Sequence, residues 1–221
     1  MDPYSKKSLF GLALAAMISS VLLSCASTSG ARPEDMSAKS HEEEAAKHEK
    51  KSERHEEQYD PNAPGPAYSE VVSGPDFAFE GGPTNPTDVH NDQAKKHQRH
   101  ADAHRAAAAA LQSAEQDACK SIATESRASC PFLGPVVATE NTPDGVRITV
   151  REGTNMEEMM ARIRCHIAFA NTQRREGMDS CPLYVRGVQA EQSGPDSIDL
   201  SVKGKASVRE LQKRVAHDIG P

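Results

Sequence analysis

The chain has 221 residues, with 26 basic against 32 acidic side chains, a formal charge of −6, no tryptophan and 4% aromatic residues. Basic residues scattered among acids exclude a nucleic-acid binder, which needs a basic stripe to meet phosphate. So few large apolar side chains allow one modest core, and part of the chain must lie outside it.

Lys6 and Lys7 precede an apolar run from Leu9 to Leu23 that ends at Leu22-Leu23-Ser24-Cys25. Crossing about 30 Å of hydrocarbon takes roughly 20 apolar residues, and this run is shorter and broken by Gly11, Ser19 and Ser20. Basic start, short apolar core and small residues at the end predict a secretory signal over residues 1–24. The ending resembles the lipobox of bacterial lipoproteins. That resemblance implies cleavage before Cys25, acylation of its sulfur, and a protein tethered by lipid to the cell envelope; two or three chains make a stable anchor. By the same resemblance, Ala26 after the cysteine implies the outer membrane, facing the periplasm.

Residues 25–40 are small, polar and without period, and read as a tether. From Ser40 to Gln58 the composition turns to Glu, Lys, His and Ala, Ser40 and Glu43 have capping-box spacing, and Glu43 and Lys47 form an i,i+4 pair. This predicts a polar helix over 41–58. Its apolar side chains are Ala45 and Ala46, so it is expected to bury no face and to be solvated or partly disordered. Residues 59–88 hold Pro61, Pro64, Pro66, Pro75, Pro83 and Pro86 and read as a semi-stiff linker. Within it Tyr68, Val71, Val72, Phe77 and Phe79 form an apolar island expected to dock on the folded part. Helix and linker together read as a spacer between membrane and domain.

A folded unit is expected over 89–221, opening with a long Ala-rich helix over 89–124 built on Ala106 to Ala110. At 100° per residue, His90, His97, His100 and His104 share one stripe that continues into Leu111, Ala118, Cys119 and Ile122. The period then changes to two. Val136–Glu140 and Val146–Val150 read as a hairpin, Thr154 with Glu157 caps a helix through Thr172, and Leu183–Ala190 and Ile198–Val202 read as strands. Ser207 and Glu210 cap a last helix. The fold class is therefore α+β: a long helix followed by a four-stranded, mainly antiparallel sheet with two helices, in the order ββαββα. Beyond the signal, residues 90–221 resemble exported proteobacterial proteins, a likeness that implies no activity.

Four cysteines remain beside the lipid candidate Cys25: Cys119, Cys130, Cys165 and Cys181. In an oxidising compartment an even number suggests two disulfides. Cys119 with Cys130 and Cys165 with Cys181 are the favoured pairs, each pinning a helix to the segment that follows it. Cys165, His166 and Cys181 also offer soft donors to zinc or copper(I), but adjacent helical residues diverge by about 100°, which disfavours chelation by Cys165 and His166 together. His97, His100 and His104 stand at i, i+3 and i+7 on one face, where neighbouring imidazoles can share a divalent ion. His41, His48 and His55 repeat the spacing of seven, and histidine-rich tracts bind zinc, nickel or copper. The alternative is a solvated or pH-responsive face.

The sequence holds no nucleophile elbow, phosphate-binding loop or zinc-protease motif. Expected on balance is a lipid-anchored envelope protein, non-catalytic, serving as a binding or structural module that meets another envelope component and needs no cofactor. The alternative is a periplasmic divalent-metal buffer or sensor, and an enzyme of unknown type stands third.

Overall fold

The computed structural model describes residues 30–65, 85–174 and 180–219. The signal with Cys25, and the island from Tyr68 to Phe79, lie outside the described residues. The elements are α1 (Ala38–Glu56), α2 (Asp88–Ala118), β1 (Val136–Thr142), β2 (Gly145–Val150), α3 (Met156–Thr172), β3 (Gln189–Gln192), β4 (Ser197–Ser201) and α4 (Lys205–Asp218). From residue 136 onward this is the expected ββαββα order. Among the described residues no helix is long and apolar enough to cross a membrane.

The sheet is antiparallel throughout, in the order β1-β2-β4-β3. Alternation places Val146, Ile148 and Val150 of β2 and Ile198 and Leu200 of β4 on one buried face, with Ile148 opposite Ile198 and Val146 opposite Leu200. The apolar sides of α3 (Met156, Met159, Met160, Ile163) and α4 (Leu211, Val215) join this core, together with Phe132 and Leu183. Each such side chain contributes on the order of 1.5–3 kcal/mol by leaving water. Gly145 is required at the β2–β4 ladder, because a Cβ there would lie 1.9 Å from the Leu200 carbonyl oxygen.

The helix starts lie slightly away from their expected positions. Ser37 Oγ accepts from the Ser40 amide at 3.3 Å and starts α1. Asn155 Oδ1, not Thr154, accepts from the Glu158 amide at 3.2 Å and starts α3. Gly204, at φ +91°, precedes α4, so Ser207 lies inside that helix.

Larger differences have packing causes. Only Gln189–Gln192 of the third strand pairs; Pro182–Tyr184 forms a short 3-10 turn, and Gly187 turns the chain at φ +75°. The consecutive buried run Pro182 to Val185 fills the core as a loop rather than alternating as a ladder. Helix α2 ends at Ala118 rather than near residue 124, because Cys119 is bonded to Cys165 on α3 and the chain turns there. The second disulfide joins Cys130 to Cys181. All four cysteines are thus paired, but not as the sequence favoured. Pairing by closeness along the chain missed the packing of α2 on α3, which places Cys119 against the side of α3 facing away from the sheet.

The polar helix differs most from expectation. α1 lies antiparallel along α2 in an extensive contact and buries Ala38, His41, Ala45 and Ser52. Glu42 with Gln112, Glu49 with Arg105 and Glu43 with Arg174 link its flanks to the rest of the fold. At the tip of the hairpin the connecting segment's stems clasp: Asn85 donates to the Asp60 carbonyl at 2.7 Å, and the Asp60 amide donates to Thr87 Oγ1 at 3.1 Å.

Candidate metal centre

The seam between α1 and α2 is built from a repeat of seven. On α1, His41, His48 and His55 alternate with Ala38, Ala45 and Ser52; on α2, His90, His97 and His104 alternate with Ala94, Ala101 and Ala108. The small residues are buried to 3% exposure or less and let the two backbones approach. Ser52 donates from its hydroxyl to the Ala94 carbonyl across the seam at 2.9 Å. Between these close layers the imidazoles meet.

The antiparallel run matches seven residues forward on α1 with seven backward on α2. His41 faces His104 with Nδ1···Nδ1 at 3.0 Å, His48 faces His97 at 3.0 Å, and His55 faces His90 at 3.2 Å. Rings also touch along the seam. His55 is 5.7 Å from His97, and His48 is 4.9 Å from His100 and 5.8 Å from His104, centroid to centroid. Seven imidazoles thus form one continuous row. At one end His41 and His104 are buried; towards the tip the others are half-buried and reachable from solvent.

Each Nδ1···Nδ1 contact needs one ring to donate and the other to accept, so a pair is satisfied only while at least one ring is neutral. Burial, followed by the charges of His100 and Lys51, lowers the pKa of His48. His97 is lowered by burial and then by Lys51 and His55. His104 is lowered by burial and then by His41, against the opposing pull of Glu44 and Asp35. Neutral imidazole is the metal-binding form. With metal–nitrogen bonds of about 2.05 Å, nitrogens 3.0 Å apart subtend roughly 94° at an ion, and a tetrahedral angle needs about 3.35 Å. The separation is therefore within a few tenths of an ångström of a chelate's, and binding would also move the shared proton to Nε2 and turn both rings towards the ion.

The structure brings together His97, His100 and His104 as expected of one stripe, but turns that stripe towards α1. His48 stands among all three. His41, His48 and His55, expected on a solvated helix, lie instead in the seam against α2. Their signal was present in the two sets of spacing seven, which match only when one is reversed.

A second donor group lies in the folded domain. One Sγ from each of Cys130 and Cys181 and a ring nitrogen of His166 lie within 4.8 Å of one another, all three residues being buried. These donors form a buried Cys–His–Cys group of metal-ligating type, with the two sulfurs joined as a disulfide. It differs from the Cys165, His166 and Cys181 set weighed from sequence, because Cys165 is bonded to Cys119 and Cys130 stands in its place. His166 Nδ1 donates to the Arg127 carbonyl at 2.8 Å, while its Nε2 is buried without a hydrogen-bond partner. Burial, against the pull of that carbonyl, lowers the His166 pKa. The Tyr184 ring lies 5.1 Å away.

The described residues therefore define a mixed α+β protein with a histidine-lined helical hairpin. The chain matches no known family model, no curated protein and no solved structure.

Proposed function

We propose that this chain is a lipid-anchored protein of the bacterial envelope whose helical hairpin binds divalent transition-metal ions, as a buffer or sensor and not as a catalyst. The observation that carries the reading is the cluster of His48 with His97, His100 and His104, in which nitrogens from both helices stand at near-chelating separation. Imidazole suits zinc, nickel and copper. An ion held across the seam locks α1 onto α2, so metal level is translated into hairpin closure.

Calorimetric titration of the chain from residue 26 onward with zinc, nickel and copper tests the reading. Saturable binding that weakens in the His48→Gln, His97→Gln variant supports it. No binding tighter than about 10 µM, or about −7 kcal/mol, removes it. Envelope anchoring has its own test: Cys25→Ala should abolish incorporation of labelled fatty acid and release the protein from membranes.

A second reading makes the α+β domain a module for another envelope component. It is favoured by Val137, 46% exposed on the edge strand β1, and by Leu133 just before it, 68% exposed. Unchanged crosslinking in envelopes after Leu133→Glu and Val137→Glu would remove it.

A further inference from the structure

We propose that Cys130, His166 and Cys181 form a redox-gated site for a thiophilic divalent ion of the zinc class, closed while the disulfide stands and opened by its reduction. The site is separate from the histidine seam, and the proposal does not depend on metal binding there.

Three observations meet. Two sulfurs and an imidazole nitrogen from different segments lie within 4.8 Å of one another, and a tetrahedral zinc ion needs its donors roughly 3.5–3.8 Å apart. The ligands therefore need only a small rearrangement once the sulfur–sulfur bond is gone. His166 carries its proton on Nδ1, because a carbonyl can only accept; the lone pair is then on Nε2. That nitrogen, like His41 Nε2 and Arg127 Nε, is buried without a partner, in a residue 1% exposed. An unpaired buried acceptor is costly, and a ring held through its other nitrogen by a backbone carbonyl is the outer-shell arrangement of a metal-binding histidine.

The scaffold also outlasts the opening of this bond. Cys165, the neighbour of His166, is tied to Cys119 by the other disulfide, whose sulfurs are fully buried. Arg127, which holds His166, is ion-paired with Glu115 at 3.0 Å, and Glu115 in turn accepts from Thr172. Cys130 is the most exposed of the four cysteines and borders a cavity of about 270 Å³ that Ser129, Leu133 and Arg162 also line. Cys165 borders the same cavity but is fully buried, as is Cys119, so Cys130 is the sulfur-bearing residue that a reductant or an ion meets first.

The chemistry balances with a dithiol as reductant. Its two thiols pass two electrons and two protons to the Cys130–Cys181 bond, yielding two cysteine thiols and the reductant's own disulfide. A divalent ion then binds both sulfurs and His166 Nε2 and releases the two thiol protons. Three protein ligands leave a fourth position for water.

The test uses cobalt(II) as probe on the chain from residue 26 onward, reduced, freed of reductant without air, and checked by circular dichroism. The expected result is one equivalent of cobalt showing a thiolate-to-metal charge-transfer band, displaced by zinc. The band is expected to be absent from the oxidised chain, lost in C130S/C181S and retained in C119S/C165S. In H166Q, affinity should fall roughly tenfold or more. The proposal is overturned by a folded reduced chain without the band, by a band that follows Cys119 and Cys165, or by H166Q binding at unchanged affinity. A reduced chain that unfolds and is not restored by zinc overturns it as well. Cobalt on the histidine seam gives no thiolate band, so failure of either site is told apart from failure of the other.

Discussion

Lowering the pH from 8 to 5 in the presence of a chelator should undock α1 from α2. His48, His97 and His104 have pKa values lowered in the folded hairpin, first by burial and then by neighbouring charge. The undocked helices therefore bind more protons at a given pH than the docked ones. The docking contribution is complete above the ordinary histidine value near 6.5 and is lost as pH falls below it towards the lowered values. The His48–His97 pair sets the scale. Two unit charges at its ring separation of 5.2 Å repel by about 0.8 kcal/mol in bulk water and by about 3 kcal/mol at an effective dielectric near 20. Double protonation also turns the Nδ1···Nδ1 hydrogen bond into two opposed donors, a further loss of about 1 kcal/mol. Together these give roughly 2–4 kcal/mol, or about 30- to 700-fold in the docking equilibrium. Amide hydrogen exchange of residues 38–56, corrected for the intrinsic pH dependence of exchange, measures it. Added salt should restore only the Coulombic part. Protection of α1 that stays constant or rises between pH 8 and 5 would refute the reasoning.

Three further outcomes follow from the packing. Replacing both Cys119 and Cys165 by alanine opens a link across 46 residues, for which the chain-entropy model gives about 4 kcal/mol. The urea midpoint by circular dichroism should fall by about 2 M at an m value near 2 kcal/mol/M. Gly145→Ala drives a methyl into the Leu200 carbonyl and should destabilise the sheet by at least about 2 kcal/mol in the same assay. Ala101→Leu inserts bulk at a fully buried seam position and should weaken α1 docking by about 1–3 kcal/mol. That variant should also lower zinc affinity although every histidine is retained, which calorimetry reads directly.

The parts of the fold that were legible from sequence are those with large apolar side chains in regular alternation. Val146, Ile148 and Val150 announced β2, and the methionine and isoleucine spacing announced α3. Where several buried residues follow one another, as at Pro182 to Val185, alternation disappears and a loop is mistaken for a strand. The α1–α2 seam was missed for a different reason. Its contacts are alanine, serine and histidine, which carry almost no hydrophobic signal although they pack closely. That His97, His100 and His104 share one face of α2 was legible from their spacing, but their neighbours on α1 needed the antiparallel register, a long-range property. The disulfides failed likewise: Cys130 and Cys181 are distant in sequence and are joined only because the loop after α2 and the segment before β3 meet at α3.

The antiparallel run of α1 along α2 also bears on the proposed lipid anchor. α1 starts at the domain end of the hairpin, where the Asp35 carbonyl accepts from Arg186 at 2.8 Å. Nine residues lie between Cys25 and Asp35, a span of about 35 Å at most. Under the proposed acylation that span is the greatest distance from the lipid surface at which the start of α1 can stand, and the polar helix adds nothing to it, because α1 begins at the domain. The hairpin is a mast roughly 28 Å long, closed at its tip by the clasp of Asp60 with Asn85 and Thr87. The histidine row runs along that mast, its buried end at the base and its open end towards the top.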